Sequence, residues 1–164
     1  METIEIRNAR PDENAAIDQL AVAAWQVLRP GYDEAQWEGM IRVISGMSKI
    51  GATGQLLVAA DGTQIHGAVA YVPPGASNPK MFPEGWPTMR MLVVQPQSRG
   101  RKLGARLSEA CIERARKDRA QCIGLHTSPI MEVALPMYLR RGFVKDADLD
   151  PIAGAPYERY VLRF

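Results

Sequence analysis

Residues 99–104, Arg99-Gly100-Arg101-Lys102-Leu103-Gly104, gather three cations and two glycines into a single turn. The chemistry such a turn supports is anion binding, and its neighbours decide whether the backbone can take part. Upstream, Met91-Leu92-Val93-Val94 is an unbroken apolar run rich in β-branched residues, the pattern of a buried strand. Pro96, with no N–H to give a ladder, closes it. Downstream, Leu103, Leu107, Ala110 and Cys111 recur at helical spacing with charge on the opposite face. The first N–H groups of a helix have no partner within it, and the aligned peptide dipoles add positive potential, so an anion just beyond that end is stabilised. Gly100 and Gly104 let the backbone approach such a ligand. The same spacing also fits an ordinary strand–helix connection with a solvated basic face, because short glycine-rich turns are common.

A resemblance separates these two readings. The stretch from Met89 to Leu107 resembles the acetyl-CoA-binding motif of the GNAT superfamily of N-acetyltransferases, in which a Leu-x-Val-x-Pro strand runs into Arg-Gly-x-Gly-x-Gly and a helix. Ala134-Leu135-Pro136-Met137-Tyr138-Leu139-Arg140-Arg141-Gly142-Phe143 is similar to a second landmark of that family, Ala-x-x-x-Tyr-x-x-x-Gly-Phe. The resemblance covers residues 88–144 and implies acetyl-CoA as cosubstrate. It implies main-chain contacts to the cofactor from Leu92, Val93 and Val94, and a pyrophosphate loop formed by Arg99, Gly100, Arg101, Lys102, Leu103, Gly104 and Ala105. Tyr138 takes the place of the family tyrosine assigned as general acid for the departing sulfur; a phenol with a reference pKa of about 10 is protonated at neutral pH.

Two residues depart from the family pattern. Lys102 stands where glycine is frequent, and its N–H reaches a phosphate if the local φ is negative. Met131 stands where many relatives carry a cofactor-contacting asparagine, a hydrogen bond that methionine does not replace. No motif marks a general base. His126 occupies a strand position that faces the acceptor amine in some relatives, and histidine is suited to proton transfer near neutral pH; a histidine hydrogen-bonded at a strand end is the bland alternative. Glu132 and a water relay are rivals for the role, and His66 in a hairpin strand is a weaker one.

The remaining elements follow from periodicity and breakers. Ile4-Glu5-Ile6 alternates as a strand, and Ile17, Leu20, Ala21, Ala24 and Leu28 share one helical stripe that Arg29-Pro30-Gly31 ends. Asp33 and Gln36 have capping-box spacing before a helix whose apolar face is Trp37, Met40, Ile41, Ile44 and Met47. In the family these two helices wall the acceptor groove, which makes Trp25, Tyr32 and Trp37 substrate-contact candidates. Trp37 reads better as core, and Tyr32, beside a glycine, as exposed to ligand. Gln55–Ala60 and Ile65–Val72 form a hairpin about Asp61-Gly62. The proline-rich stretch 73–87, which contains Trp86 as a further substrate-binding candidate, is too long for a hairpin loop and reads either as a substrate-side lid or as a rigid surface loop. Cys122–His126 is a strand, 131–140 a short helix capped by Gly142, and Tyr157–Phe164 a closing strand.

At 164 residues the chain is expected to form one domain, 1–164, with an ordinary 46% apolar and 23% charged composition. The expected architecture is α/β: a mixed, largely antiparallel central sheet with splayed central strands, flanked by about four helices. A net charge of +2 gives no case for nucleic acid or an anionic membrane, and no apolar run reaches the roughly 20 residues of a membrane span. The acidic, alternating N-terminus is unlike a signal or transit peptide. Cys111 and Cys122, the only cysteines, read as buried apolar residues of a reducing, cytoplasmic setting, and with two histidines they share no metal-ligand spacing. The expected function is transfer of an acetyl group from acetyl-CoA to a primary amine by direct attack in a ternary complex. Transfer of a longer acyl group, and a CoA-sensing module without turnover, are the alternatives. The resemblance leaves room for a homodimer, with no interface stretch marked.

Overall fold

The computed structural model describes residues 3–164; Met1 and Glu2, part of the N-terminal reading and of the expected 1–164 domain, lie outside the described residues. Seven strands form one sheet in the order β1-β2-β3-β4-β5-β7-β6. They are β1 Glu5–Asn8, β2 Gln55–Asp61, β3 Gln64–Val72, β4 Thr88–Val94, β5 Cys122–Thr127, β6 Val144–Ile152 and β7 Ala155–Arg163. Neighbours are antiparallel except β4 and β5, which run parallel. Among the described residues five α-helices flank the sheet, where about four were expected: α1 Asn14–Trp25, α2 Glu34–Ile44, α3 Met47–Ile50, α4 Leu103–Lys117 and α5 Ala134–Arg141.

The sheet has a core on each face, and strand alternation decides which residue enters which. Val58, Ala68, Ala70 and Val93 meet Ile17, Leu20, Ala21 and Ala24 of α1 and Met40 and Ile44 of α2 on one side. Leu57, Val69, Tyr71 and Met89 meet Leu103, Leu107, Cys111 and Ile112 of α4 on the other. Fully burying each Leu, Ile or Val removes apolar surface worth about 1.5–3 kcal/mol, so the two stripes fix the layering. Gly67 of β3 lets α4 press in: a Cβ there would lie 3.0 Å from Leu107 Cδ1.

Several elements differ from the sequence expectation for identifiable reasons. The first helix stops being α-helical at Trp25 and tightens into a 3-10 segment over Gln26–Gly31, which contains Pro30. The Asp33–Gln36 capping box forms in both directions, at 2.8 and 3.0 Å, but Met47 belongs to the separate short helix α3. The helix expected over 131–140 starts at Ala134, which puts Pro136 in the first turn, where its missing N–H has no intrahelical partner to lose. Gly142 follows it as expected, with φ +108°. Strand β6 was not anticipated.

Candidate active site: the split between two parallel strands

Strands β4 and β5 touch through a single register pair, Thr88 with Gly124, supported by Gly124 N–H donating to Pro87 O at 2.9 Å. Beyond that point they diverge, so the β5-facing backbone edge of β4 is unpaired. This is the expected splay. On its other edge β4 pairs with β3 through a bulge: Ala68 faces Val93 and Ala70 faces Arg90, so Met91 and Leu92 together oppose Val69. Met91 takes φ +57° there. Bulges re-aim side chains and end regular pairing, and here one puts Arg90 and Met91 on the same side of the sheet before alternation resumes.

The gap opens into a cleft of about 500 Å³. Leu92, Val93 and Val94 supply one wall, Met131 and Met137 another, and Trp25 and Leu28 a third. Arg99 stands at its rim and donates to Ala24 O at 3.2 Å. Gly104 also lines the cleft and lets α4 approach α5, since a Cβ on it would lie 3.4 Å from Met137 Sδ. Met131, in the place of the family asparagine, turns its sulfur to the Thr127 hydroxyl at 3.2 Å.

The turn from β4 to α4 is built for close approach. Gly100 has φ +81°, with nothing within 4 Å of where a Cβ would stand. Lys102, the residue before α4, also has positive φ, +58°, so the condition of a negative φ for its N–H to reach a phosphate is not met: it holds a left-handed conformation that suits glycine. No side chain caps the helix and no acidic residue occupies its first turn, so its first N–H groups and positive potential are open. Gly100, Arg101, Lys102 and Ala105 are exposed around this end, whereas the Leu103 side chain is core, 2% exposed, leaving only its main chain to face a ligand.

Behind the turn lies a support that sequence reading passed over. His66 Nδ1 meets Ser98 Oγ at 2.7 Å, and its Nε2 lies 3.0 Å from Asp61 Oδ2. Gln95 N–H donates to His66 O at 2.8 Å. His66 thus ties the β2–β3 hairpin to the turn leading into the basic loop. Its histidine–serine spacing of 32 residues carried no local signal. Ser98, 4% exposed, is not placed to attack a substrate.

Tyr138 is buried in the core beside Phe143, with ring centroids 5.8 Å apart. Its helix neighbours Ala134 and Met137 line the cleft, and Tyr138 itself stands one layer behind. Burial, with Cys111 nearby, pushes its phenol well above the ordinary tyrosine range. His126 lies on the opposite sheet face, its Nδ1 buried without a hydrogen-bond partner, between Phe82 at 6.0 Å and Tyr157 at 5.5 Å. Burial, and next the charge of Arg90, press it down to about 4. Glu132 is exposed at the cleft wall. Burial pushes the Cys111 thiol up to about 12 and raises Cys122, so neither is an activated nucleophile.

The two substrate-binding candidates are placed differently from expectation. Tyr32 is 5% exposed and packs against Trp37 at 5.9 Å, with its hydroxyl buried near the Tyr157 phenol; Trp37 is the more open of the pair, under the Arg29 guanidinium. Packing of α2 against the 3-10 segment turns the tyrosine inward. Trp86 lies away from the cleft, over Gly124 and flanked by Arg159 and Arg163, and lines a separate cavity near Gln121 and Phe164. Its loop is strapped down by Phe82, 3% exposed, by Ser77 Oγ donating to Trp86 O, and by Arg159 donating to Met81 O.

A mixed seven-stranded sheet, split at its one parallel pair among the described residues and leading into an uncapped helix, is the architecture shared with solved GNAT acetyltransferases. The sequence pattern of the acetyltransferase (GNAT) family matches residues 14–143, and the chain belongs to that family. The chain is similar in structure to the PaiA N-acetyltransferase of Thermoplasma acidophilum, solved in complex with coenzyme A: 17% identity, TM-score 0.77, 99% of each chain covered. It is also similar to a GNAT family acetyltransferase from Brucella melitensis in complex with acetyl-CoA: 22% identity, TM-score 0.64, covering 100% of this chain and 90% of that one. No curated protein matches the sequence. No helix among the described residues is long and apolar enough to cross a membrane, and they contain no group of three or more histidine, cysteine or acidic residues able to hold a metal.

Proposed function

We propose that the chain transfers the acetyl group of acetyl-CoA to the primary amine of a small molecule or peptide, acting as one domain in the cytoplasm. The observation that carries this reading is the unpaired edge of β4 leading directly to the uncapped start of α4. A pantetheine arm is a row of amides that needs strand-like partners, and a pyrophosphate needs unpartnered N–H groups. The residues present fit both halves. Leu92, Val93 and Val94 offer main-chain groups to the arm, and residues 99–105 offer open backbone and three cations to the phosphates. A helix N-terminus stabilises an anion by about 0.3–1 kcal/mol, up to about 2 when partly buried.

The amine nitrogen attacks the thioester carbonyl carbon, the carbon–sulfur bond breaks, and CoA leaves as thiol. β4 main-chain N–H groups stabilise the charge that develops on the carbonyl oxygen. On the family resemblance the proton delivered to the departing sulfur is assigned to Tyr138, whose phenol must turn past the Ala134–Met137 wall to reach it, and the proton lost by the amine goes to His126 or to water. Burial raises the Tyr138 phenol above the ordinary tyrosine range, so it carries its proton at neutral pH. His126 is neutral above about pH 4 and so is free to accept a proton. The burial of both cysteines favours direct attack over an acyl-enzyme.

Isothermal titration with acetyl-CoA and desulfo-CoA, followed by thiol-release assays on amine panels, tests this. Tyr138→Phe is expected to lower kcat by about 10²-fold or more, the range of general acid catalysis, with acetyl-CoA affinity unchanged. Acetyl-CoA binding with no tyrosine-dependent turnover would establish a sensing module instead. Preference for longer thioesters in the same assay would establish a longer acyl donor.

A further inference from the structure

Arg90 is the one charged residue of β4, and no ion pair among the described residues answers its charge. It pairs with Ala70, which lies in the core beneath α1 and α2, so its side chain enters that face of the sheet. Its Nε is buried with no hydrogen-bond partner. Among the described residues no carboxylate lies within ion-pair distance of it, and the only influence on its acidity is burial. The other charged group near this face, Arg159, is already matched by Asp146 at 2.7 Å.

Two more unpartnered polar atoms share the surroundings. His126 faces the same side, since its neighbour Leu125 enters the opposite core; its Nδ1 is buried and unpaired, and it feels the charge of Arg90. Tyr157 stacks beside His126 at 5.5 Å, and next to Tyr157 lies the buried, unpaired hydroxyl of Tyr32. Arg90 as a whole is half-buried, but its Nε is buried and bare, and a buried polar atom of a charged group is ordinarily matched by a partner. Here cation, imidazole and phenols share one face of the sheet beside the point where β4 and β5 part, outside the lining of the cleft of about 500 Å³, and on the acetyl-transfer reading the acceptor approaches from this side.

We infer that Arg90 receives a carboxylate of the acceptor, so that the substrate is an amino carboxylate rather than a simple amine or a polyamine. The inference rests on the acetyl-transfer reading for the role of the amine, while the anion site itself stands on the unpaired Arg90, His126 and Tyr32. Guanidinium is the side chain whose fork matches a carboxylate bidentately. An all-cationic acceptor meets only repulsion there.

The test uses ligand-observed NMR with N-acetyl derivatives of the common L-amino acids and of β-alanine, the products of the proposed reaction, each beside its carboxamide. Wild type, Arg90→Gln and Arg90→Lys are compared, with thermal melts confirming folding. At least one acid is expected to bind ten or more times tighter than its carboxamide. Arg90→Gln should reduce that preference to within about twofold, and Arg90→Lys should keep part of it. Thiol release from acetyl-CoA with the free amino acids and their carboxamides should show the same preference in kcat/KM. Equal binding of acids and carboxamides, no acid binding, or a preference that survives Arg90→Gln overturns the proposal. Should acids bind in an Arg90-dependent manner while acetyl-CoA does not bind, the anion site stands and the acetyl-transfer reading falls.

Discussion

Lys102 holds a glycine's conformation at the entrance to α4, and replacing it with glycine has effects of opposite sign on stability and on cofactor binding. At φ +58° a residue with a Cβ carries a penalty of about 1–2 kcal/mol. Glycine removes that penalty but gives back about 0.5–1 kcal/mol through the greater freedom of the unfolded chain. The net gain expected for Lys102→Gly is about 0.5–1 kcal/mol. For a chain of 164 residues, at about 2–4 °C per kcal/mol, this raises Tm by about 1–4 °C. The side chain is exposed, so no packing is lost. One ammonium is lost near the phosphates, worth about 0.5–1 kcal/mol at an exposed site, a two- to fivefold rise in the Kd for acetyl-CoA. Lys102→Ala separates the two effects, because it removes the charge and keeps the Cβ: Kd rises equally and Tm does not. Scanning calorimetry and titration of the three proteins read both quantities. A Tm that falls in Lys102→Gly would refute the reasoning, since it would mean that the left-handed conformation is supported by side-chain contacts rather than tolerated at a cost.

Two further outcomes follow from other parts of the fold. Gly100→Ala meets no neighbour within 4 Å but forces a Cβ into φ +81°; titration should show acetyl-CoA affinity reduced at least tenfold, against a stability loss of only about 1–2 kcal/mol. The Glu13 carboxylate bonds the Arg7 guanidinium through both oxygens, at 2.7 and 3.0 Å, and accepts from Arg10 N–H. Arg7 foremost holds it down to about 2. Because the folded pKa lies below the unfolded one, its contribution is complete above about pH 4.3 and is lost as pH falls through about 2. Glu13→Gln should cost about 1–2 kcal/mol at pH 7, the screened share of the shift, and flatten the acid limb of stability between pH 4 and 2, as followed by denaturant titration.

What the sequence disclosed follows the range over which its signals act. The β4–turn–α4 unit was legible because strand, breaker, glycines and helical stripe lie within 20 consecutive residues, and the family resemblance then implied the splay. The β2–β3 hairpin and the Asp33 capping box were legible for the same local reason. Strand β6 was not: Lys145, Asp146, Asp148, Asp150 and Pro151 give it the composition of a loop, and it is a strand because it sits at the sheet edge, where charge and proline discourage further pairing. The inward turn of Tyr32 depends on how α2 packs, and the seat of Trp86 on Gly124 of β5, 38 residues away. Arg90 gave no sign at all in sequence, since a lone arginine in an apolar strand stands out only once the described residues around it are seen to offer no carboxylate.

That absence also bears on how His126 could act as a base. Burial is the larger cause holding it at about 4, and the charge of Arg90 adds to it. With its folded pKa below the ordinary 6.5, the imidazole is neutral at physiological pH, and the stability linked to it is lost only as pH falls from about 6.5 through about 4. It is an available acceptor but a weak one. A carboxylate seated on Arg90 cancels the second cause and adds attraction to the imidazolium, so the pKa of His126 rises when acceptor or product binds. Burial between Phe82 and Tyr157 persists, and Arg159 remains matched by Asp146, so the one charge added near the imidazole is the carboxylate. The base is thereby strengthened by the substrate it serves. Following the His126 ring resonances by NMR through an acid titration, with and without a bound N-acetyl amino acid, measures the shift directly. The expected result is an upward shift in wild type and none in Arg90→Gln. A His126 pKa that stays near 4 with the acid bound would show that the carboxylate lies elsewhere, and would leave water as the proton acceptor.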